Sequence, residues 1–246
     1  MKTRYFCFYK FICTGVVTAL ITSCGGQKTL VNRDFSGLFP DKVPTNICYL
    51  RTTRSVYLLL GSEQTFNATG TLFSGEYLIT AGHNVYDSWR SKLVGVDVVC
   101  KSSDGSVVTS TITPKDIART REVTRYDDSG HAYAYDYAFI KLPAKIDVQE
   151  SVILGSGKES LKVKNIKVAG YPGGELQYGQ GSIKKNRTKT NFSYKVDTAK
   201  GMSGGPVWAK YNGVEYLVGV HVSEGTARTV DEDLVEEFHA WRKQFN

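Results

Sequence analysis

The chain is punctuated every few residues. Runs rich in Val, Ile, Thr, Tyr and Phe, such as SVYLLLG (55–61), ATGTLFSGEYLITAGH (68–83), LVGVDVVC (93–100), VVTSTIT (107–113) and YAFIKL (137–142), are split by Gly, Asn, Asp and Ser. β-Branched and aromatic side chains suit a pleated, half-buried surface. A second set begins near Val163 and contains NIKVAGYPGG (165–174), QYGQGSIKK (177–185), NFSYKVDTA (191–199) and GPVWAKYNGVEYLVGVHVS (205–223). Asn212-Gly213 between apolar runs is a hairpin signal. Short strands with no helical period between them predict a barrel or sandwich rather than alternating strands and helices.

Only the end changes period. In VDEDLVEEFHAWRKQFN, Leu234, Val235, Phe238, Trp241 and Phe245 recur at spacings of three and four, with acidic residues first and Arg242 and Lys243 last. This predicts an amphipathic helix packing one face on the body. The stretch KIDVQESVILGSGKESLK (145–162) divides the two strand sets, which sets a boundary near residue 155. The expected units are therefore 47–155, 156–230 and a helix over 231–246.

The first 46 residues read differently. Lys2, Arg4 and Lys10 precede an apolar run, FICTGVVTALI, too short to span a bilayer and laid out like a secretory signal over 1–23. LITSC, ending at Cys24, resembles the lipobox of bacterial lipoproteins, which implies acylation of Cys24 and a membrane anchor; an ordinary signal cut, giving a periplasmic or secreted protein, is the alternative. Residues 24–46 read as a polar tether. Losing 1–23 removes three positive charges and no negative ones, so the net charge falls from +7 to +4. No Lys/Arg block remains to favour nucleic acid. The 246 residues are 41% hydrophobic and 22% charged, a globular composition that excludes disordered and collagen-like classes.

Five cysteines are present: Cys7 and Cys13 lie in the signal and Cys24 at its end, leaving Cys48 and Cys100. In an exported chain these two either form a disulfide or stay as buried thiols. Neither H-E-x-x-H nor a paired Cys cluster implies a metal, and no cofactor is expected. The sequons at Asn67, Asn186 and Asn191 matter only in a glycosylating pathway.

The chemistry centres on KGMSGGPVW (200–208). Gly and Pro make a turn there, and the turn holds Ser203. Serine needs a base to take its proton and a carboxylate to orient that base. Of four histidines, His83 ends an apolar strand in LITAGHNVYD, and Asp136 begins one in YDYAFIKL. The chain order is His, Asp, Ser. Asp127 and Asp128 are fallback acids. GMSGG also fits the nucleophile elbow of α/β-hydrolases, with Asp231 and His239 downstream, but Gly204, Gly205 and Pro206 oppose the helix that motif requires.

TAGHNVYD, DYAFIKL, GYPGG and GMSGGPV together resemble the trypsin-like serine endopeptidases, and their glutamyl endopeptidase branch in particular, over roughly Leu50 to Phe245. The resemblance implies two six-stranded antiparallel β-barrels with a C-terminal helix, protein or peptide substrates, and a monomer. It assigns His83, Asp136 and Ser203 as the triad and the N–H groups of Gly201 and Ser203 as the oxyanion hole. It also implies that Thr198 and His221 bind a substrate Glu, whereas Asp197, at the position where such enzymes select Lys or Arg, points to basic substrates. Met202 departs from the family's activation Asp, and an acylated Cys24 offers no free amine to the pocket; a clip within NRDFSGLFPDK (32–42) would supply one. From another class stands an inactive relative that uses the same scaffold to bind peptide or surface glycan.

Overall fold

The computed structural model describes residues 46–57, 62–87, 91–119, 132–148 and 152–245. The expected signal, Cys24, nearly all of the tether, Asp127, Asp128 and His131 lie outside the described residues.

Seven strands form a first sheet: β1 (Ile47–Val56), β2 (Ser62–Leu72), β3 (Tyr77–Thr80), β4 (Ser91–Lys101), β5 (Val107–Ile112), β6 (Ile117–Arg119) and β7 (Ala138–Lys141), in the order β5-β4-β1-β2-β3-β7-β6. β1 lies between β2 and β4, so Ile47, Cys48, Tyr49 and Leu50 are all buried in succession rather than alternating. The strand begins eight residues before the expected run 55–61. Arg51 and Arg54 disguise it in the sequence, and Arg51 is neutralised by Asp97 on β4 at 3.0 Å. The core holds Leu50, Leu72, Leu78, Val96, Val98 and Ile140.

The second sheet contains β8 (Ile153–Leu154), β9 (Asn165–Gly170), β10 (Gln177–Arg187), β11 (Asn191–Lys195), β12 (Pro206–Tyr211), β13 (Val214–Ser223) and β14 (Thr226–Thr229). Pairing of β12 with β13 closes β9 to β14 into a six-stranded antiparallel barrel, and β8 adds in parallel to β13. Asn212 and Gly213 both take positive φ at the β12–β13 turn, as a tight hairpin requires. Phe192, Tyr194, Val168, Val207 and Val218 fill this barrel.

The fold is thus all-β and chymotrypsin-like, as expected, with one refinement. The first sheet has seven strands instead of six and curls without closing: among the described residues no pairing joins β5 to β6. β5 alternates exposed and half-buried residues, as an edge strand facing water on one side does. A single turn of helix, α1 (Lys158–Lys162), has no counterpart among the expected elements; five residues carry too little periodicity to register.

The terminal helix, α2 (Glu232–Arg242), starts where expected. Asp231 caps it by accepting the Leu234 N–H at 3.0 Å, and Glu232 and Asp233 favour the positive end of its dipole. Its buried face returns to the first sheet: Phe238 meets Phe73, Tyr77 and Phe139 at ring distances of 4.8, 5.2 and 5.3 Å, and Trp241 stacks on Phe139 at 5.8 Å. The chain's end therefore fastens the second half to the first. Cys48 and Cys100, on neighbouring strands, form a disulfide that closes a separation of 52 residues, which limits the unfolded chain by about 4 kcal/mol in a loop-entropy account.

Phe238→Ala removes the ring on which this aromatic cluster converges. It is expected to lower stability by roughly 3–5 kcal/mol, read as a shift in the urea unfolding midpoint.

Candidate active site

The turn before β12 can exist only with glycine at two points. Gly201 has φ +104° and Gly204 φ +87°, and a Cβ on Gly204 would sit 2.1 Å from the Thr69 carbonyl and from Thr80 Oγ1. The turn lies that close to the first sheet because it is bonded to it. The Ser203 carbonyl accepts the Thr69 N–H and the Asn84 side-chain amide, both at 2.9 Å. Thr69 Oγ1 donates to the Gly201 carbonyl at 2.7 Å and accepts the Tyr171 N–H at 2.9 Å. On its other flank the turn is held by Gly204 N–H to the His221 carbonyl at 2.7 Å and His221 N–H to the Gly205 carbonyl at 2.8 Å.

His83 lies in a 3-10 turn, Gly82–Asn84, that directly follows β3. Its Nδ1 is 2.8 Å from Asp136 Oδ2, and its backbone N–H donates to Asp136 Oδ1 at 2.8 Å. Asp136 is fully buried, whereas the His83 side chain keeps 24% exposure. A carboxylate gripped at both oxygens fixes the ring and its Nδ1–H tautomer, leaving the other nitrogen to act as base. His83 and Ser203 line one cavity of about 350 Å³. Ser203 Oγ leans toward the Val222 carbonyl at 3.4 Å.

The backbone of the turn has an asymmetry. The N–H groups of Met202, Gly204 and Gly205 donate to the carbonyls of Ala199, His221 and Met202, while those of Gly201 and Ser203 take no protein acceptor among the described residues. These two are the donors expected of an oxyanion hole. Met202 is buried in the barrel core, with its sulfur accepting the Ala199 N–H at 3.4 Å. An apolar side chain packed this way does not grip an amine.

The residues expected to choose the substrate are less united. His221 is buried, and its Nδ1 lies 2.5 Å from the Tyr194 hydroxyl. Burial lowers its pKa to about 4, against a weaker rise from a hydrogen bond to the Thr226 backbone. His221 is therefore neutral near pH 7 and brings no positive charge to a substrate carboxylate. Burial raises the Tyr194 pKa, so its phenol stays protonated and can donate to that ring. Thr198 is half-buried, and among the described residues no hydrogen bond joins it to His221. Asp197 is exposed and lines a different cavity, with Lys184, Lys195 and Glu224.

Three contributors escape sequence reasoning. Thr69 and Asn84 act through bonds across 134 and 119 residues, although Asn84 sits beside His83 in GHN. Arg228 is the third. Buried on β14, it pairs with Asp231 at 2.9 and 3.2 Å, donates from Nε to the Ala134 carbonyl at 2.5 Å, and covers the Tyr137 ring at 5.1 Å. Tyr137 in turn donates to Glu237 of α2. Ala134 and Tyr137 flank Asp136, so the second sheet and its helix hold the loop that carries Asp136. Among the described residues there is no cluster of three metal-binding side chains, and no helix is long and apolar enough to cross a membrane.

Residues 68–220 match the family described as a trypsin-like peptidase domain. Among solved structures the chain is similar to a Glu endopeptidase in complex with MPD, at 22% identity and a TM-score of 0.61, covering 85% of this chain and 94% of that one. No curated protein matches the chain in sequence.

Buried charge has two measurable consequences. Arg228→Met leaves Asp231 buried without its partner and should lower stability by roughly 3–5 kcal/mol, measured by urea unfolding. His221 prefers its neutral form in the fold, with a pKa of about 4 against 6.5; stability it contributes is present above pH 6.5 and lost as pH falls toward 4. The loss amounts to about 3 kcal/mol. His221→Gln should therefore flatten the acid limb of a stability-versus-pH curve; an unchanged limb would contradict the assignment.

Proposed function

Because the chain belongs to the trypsin-like peptidase family, we propose that it is an exported serine endopeptidase working through His83, Asp136 and Ser203 by way of an acyl-enzyme. The observation that carries this reading is the 2.8 Å contact between His83 Nδ1 and the buried Asp136, with His83 and Ser203 lining the same cavity.

In the reaction, Ser203 Oγ attacks the peptide carbonyl as His83 takes its proton. Asp136 stabilises the imidazolium so formed. The oxyanion accepts from the N–H groups of Gly201 and Ser203. His83 then gives its proton to the departing amine, and water repeats the sequence to release the acid. Every group needed is in the chain, and no cofactor is required.

For the residue before the cut we propose Glu. Support comes from the Glu endopeptidase among the similar structures and from the presence of Thr198 and His221 on either side of the nucleophile's turn in the sequence. The neutral state of His221 means that an entering carboxylate must be met by hydrogen-bond donors, and that its arrival raises the His221 pKa. Asp197 belongs to a cavity apart from Ser203, which weighs against Lys or Arg. The leader over 1–23 would direct export and be removed, and an acylated Cys24 would then hold the domain at the cell envelope.

Asp136→Asn should lower kcat on the order of 10⁴-fold while leaving the fold intact, measured with a peptide cut by the wild type. A loss below about tenfold would remove Asp136 from the mechanism. In the same assay Glu before the cut should exceed Gln, and a preference for Lys or Arg would transfer the pocket to Asp197.

A further inference from the structure

The two N–H groups that would hold the oxyanion sit on peptide planes separated by one other. Gly201 N–H belongs to the plane shared with Lys200, and Ser203 N–H to the plane shared with Met202. Between them lies the plane made of the Gly201 carbonyl and the Met202 N–H, and its tilt sets the angle between the two donors. Gly201 does not fix that tilt by itself: its φ is +104°, and it has no Cβ to restrict rotation. The tilt is fixed from outside. Met202 N–H donates to the Ala199 carbonyl at 3.1 Å, and the Gly201 carbonyl accepts from Thr69 Oγ1 at 2.7 Å. The Ser203 plane has a hold of its own, since the Met202 carbonyl accepts the Gly205 N–H at 2.9 Å. Among the described residues the Lys200 carbonyl takes no donor, so Gly201 N–H depends most on the middle plane.

The Thr69 hydroxyl is aimed by its other partner. Thr69 Oγ1 accepts the Tyr171 N–H at 2.9 Å, and because that amide only donates, the single hydroxyl proton is left for Gly201. Thr69 is fully buried, so bulk water does not compete for the proton. Tyr171 is buried as well, with its ring 5.6 Å from that of Tyr49. It leads into the turn Pro172–Gly174 of GYPGG, a motif to which the reaction gives no task. Gly170, just before it, lets the three segments meet: a Cβ there would lie 2.7 Å from Met202 Cα and 2.9 Å from Thr69 Oγ1.

We infer that Thr69 is a positioning residue for the reaction: its side-chain hydroxyl, aimed by the Tyr171 N–H, holds the peptide plane between the two oxyanion donors and keeps both N–H groups convergent on one point. The inference rests on the peptidase reading above and deepens its oxyanion hole. It is separate from the inter-sheet bond made by the Thr69 backbone N–H, which a change of side chain leaves in place. Removing one donor outright from such a hole lowers kcat by about 10²–10³. A donor that remains but loses its aim costs less, roughly tenfold to a hundredfold. The loss falls on kcat rather than KM, because the hole serves the oxyanion more than the ground-state carbonyl.

The test uses the full chain carrying Thr69→Ala, Thr69→Val or Thr69→Ser, beside the wild type and Ser203→Ala, with folding checked by urea unfolding. On a peptide cut by the wild type, the Ala and Val variants should lose kcat by roughly tenfold to a hundredfold with little change in KM. Thr69→Ser, which restores the hydroxyl, should recover most of the rate. The distinguishing readout is the hemiketal that Ser203 forms with the trifluoromethyl ketone of the same peptide, followed by fluorine NMR against pH. A well-aimed hole favours the ionised hemiketal, so its hydroxyl should titrate about one to two pH units higher in the Ala and Val variants, a change that lost stability alone does not produce. An unchanged kcat or an unchanged hemiketal in a folded Ala or Val variant overturns the inference, as does a Ser variant no better than Ala. If neither Ala nor Val folds while Ser does, the hydroxyl serves the fold rather than the rate, and the inference falls. A wild type that cuts nothing beyond the Ser203→Ala control removes the peptidase reading and this inference with it; a wild type that cuts leaves that reading standing whatever the Thr69 variants do.

Discussion

The Ser203 carbonyl, shared between the Thr69 N–H and the Asn84 amide, is the joint on which the site depends. The proposed nucleophile, Ser203, lies in the turn before β12 of the second sheet, and the proposed base, His83, follows β3 of the first. A displacement of about 1 Å between sheets would separate them, and catalysis of this kind is intolerant of such shifts. Two hydrogen bonds to one carbonyl, with a third from Thr69 Oγ1 to Gly201, fix the distance at the point where it matters. Glycine at 204 is a consequence, since any Cβ would occupy the space of the Thr69 carbonyl.

The second constraint acts on the acid. Asp136 is buried, and its loop is held from the far side by Arg228 through Ala134 and by Glu237 through Tyr137. The same Arg228 pairs with Asp231, whose carboxylate caps α2, and α2 packs Phe238 and Trp241 on the first sheet. Helix cap, ion pair and aromatic cluster thus form one path from the chain's end back to the acid. The His83–Asp136 contact lies at the centre of both sets of restraints.

Local pattern makes much of this legible. The longer strands from β2 onward, though not the short β6, β8 and β14, the Asn212-Gly213 turn, the capped helix after Asp231 and the His, Asp, Ser order can be read from short stretches, because each is a property of neighbours in the chain. What cannot be read is what register creates. Tyr194 meets His221 only because β11 and β13 both flank β14, and burial there makes His221 a neutral core group rather than a standing positive charge. The start of β1 is hidden because two arginines interrupt a strand whose burial is decided by its central place in the sheet. Arg54 likewise looks like a surface cation in sequence; only the folded chain sets it between Phe66 and Tyr86 at the edge of the cleft.

The central claim is that the two sheets hold His83 and Asp136 so as to make Ser203, and no other serine, nucleophilic. Its most direct test is to treat the folded protein with a fluorophosphonate and map the adduct by peptide mass. One adduct per chain, located on Ser203, is the expected result. A folded protein that takes no adduct, or one modified at another residue, would contradict the claim.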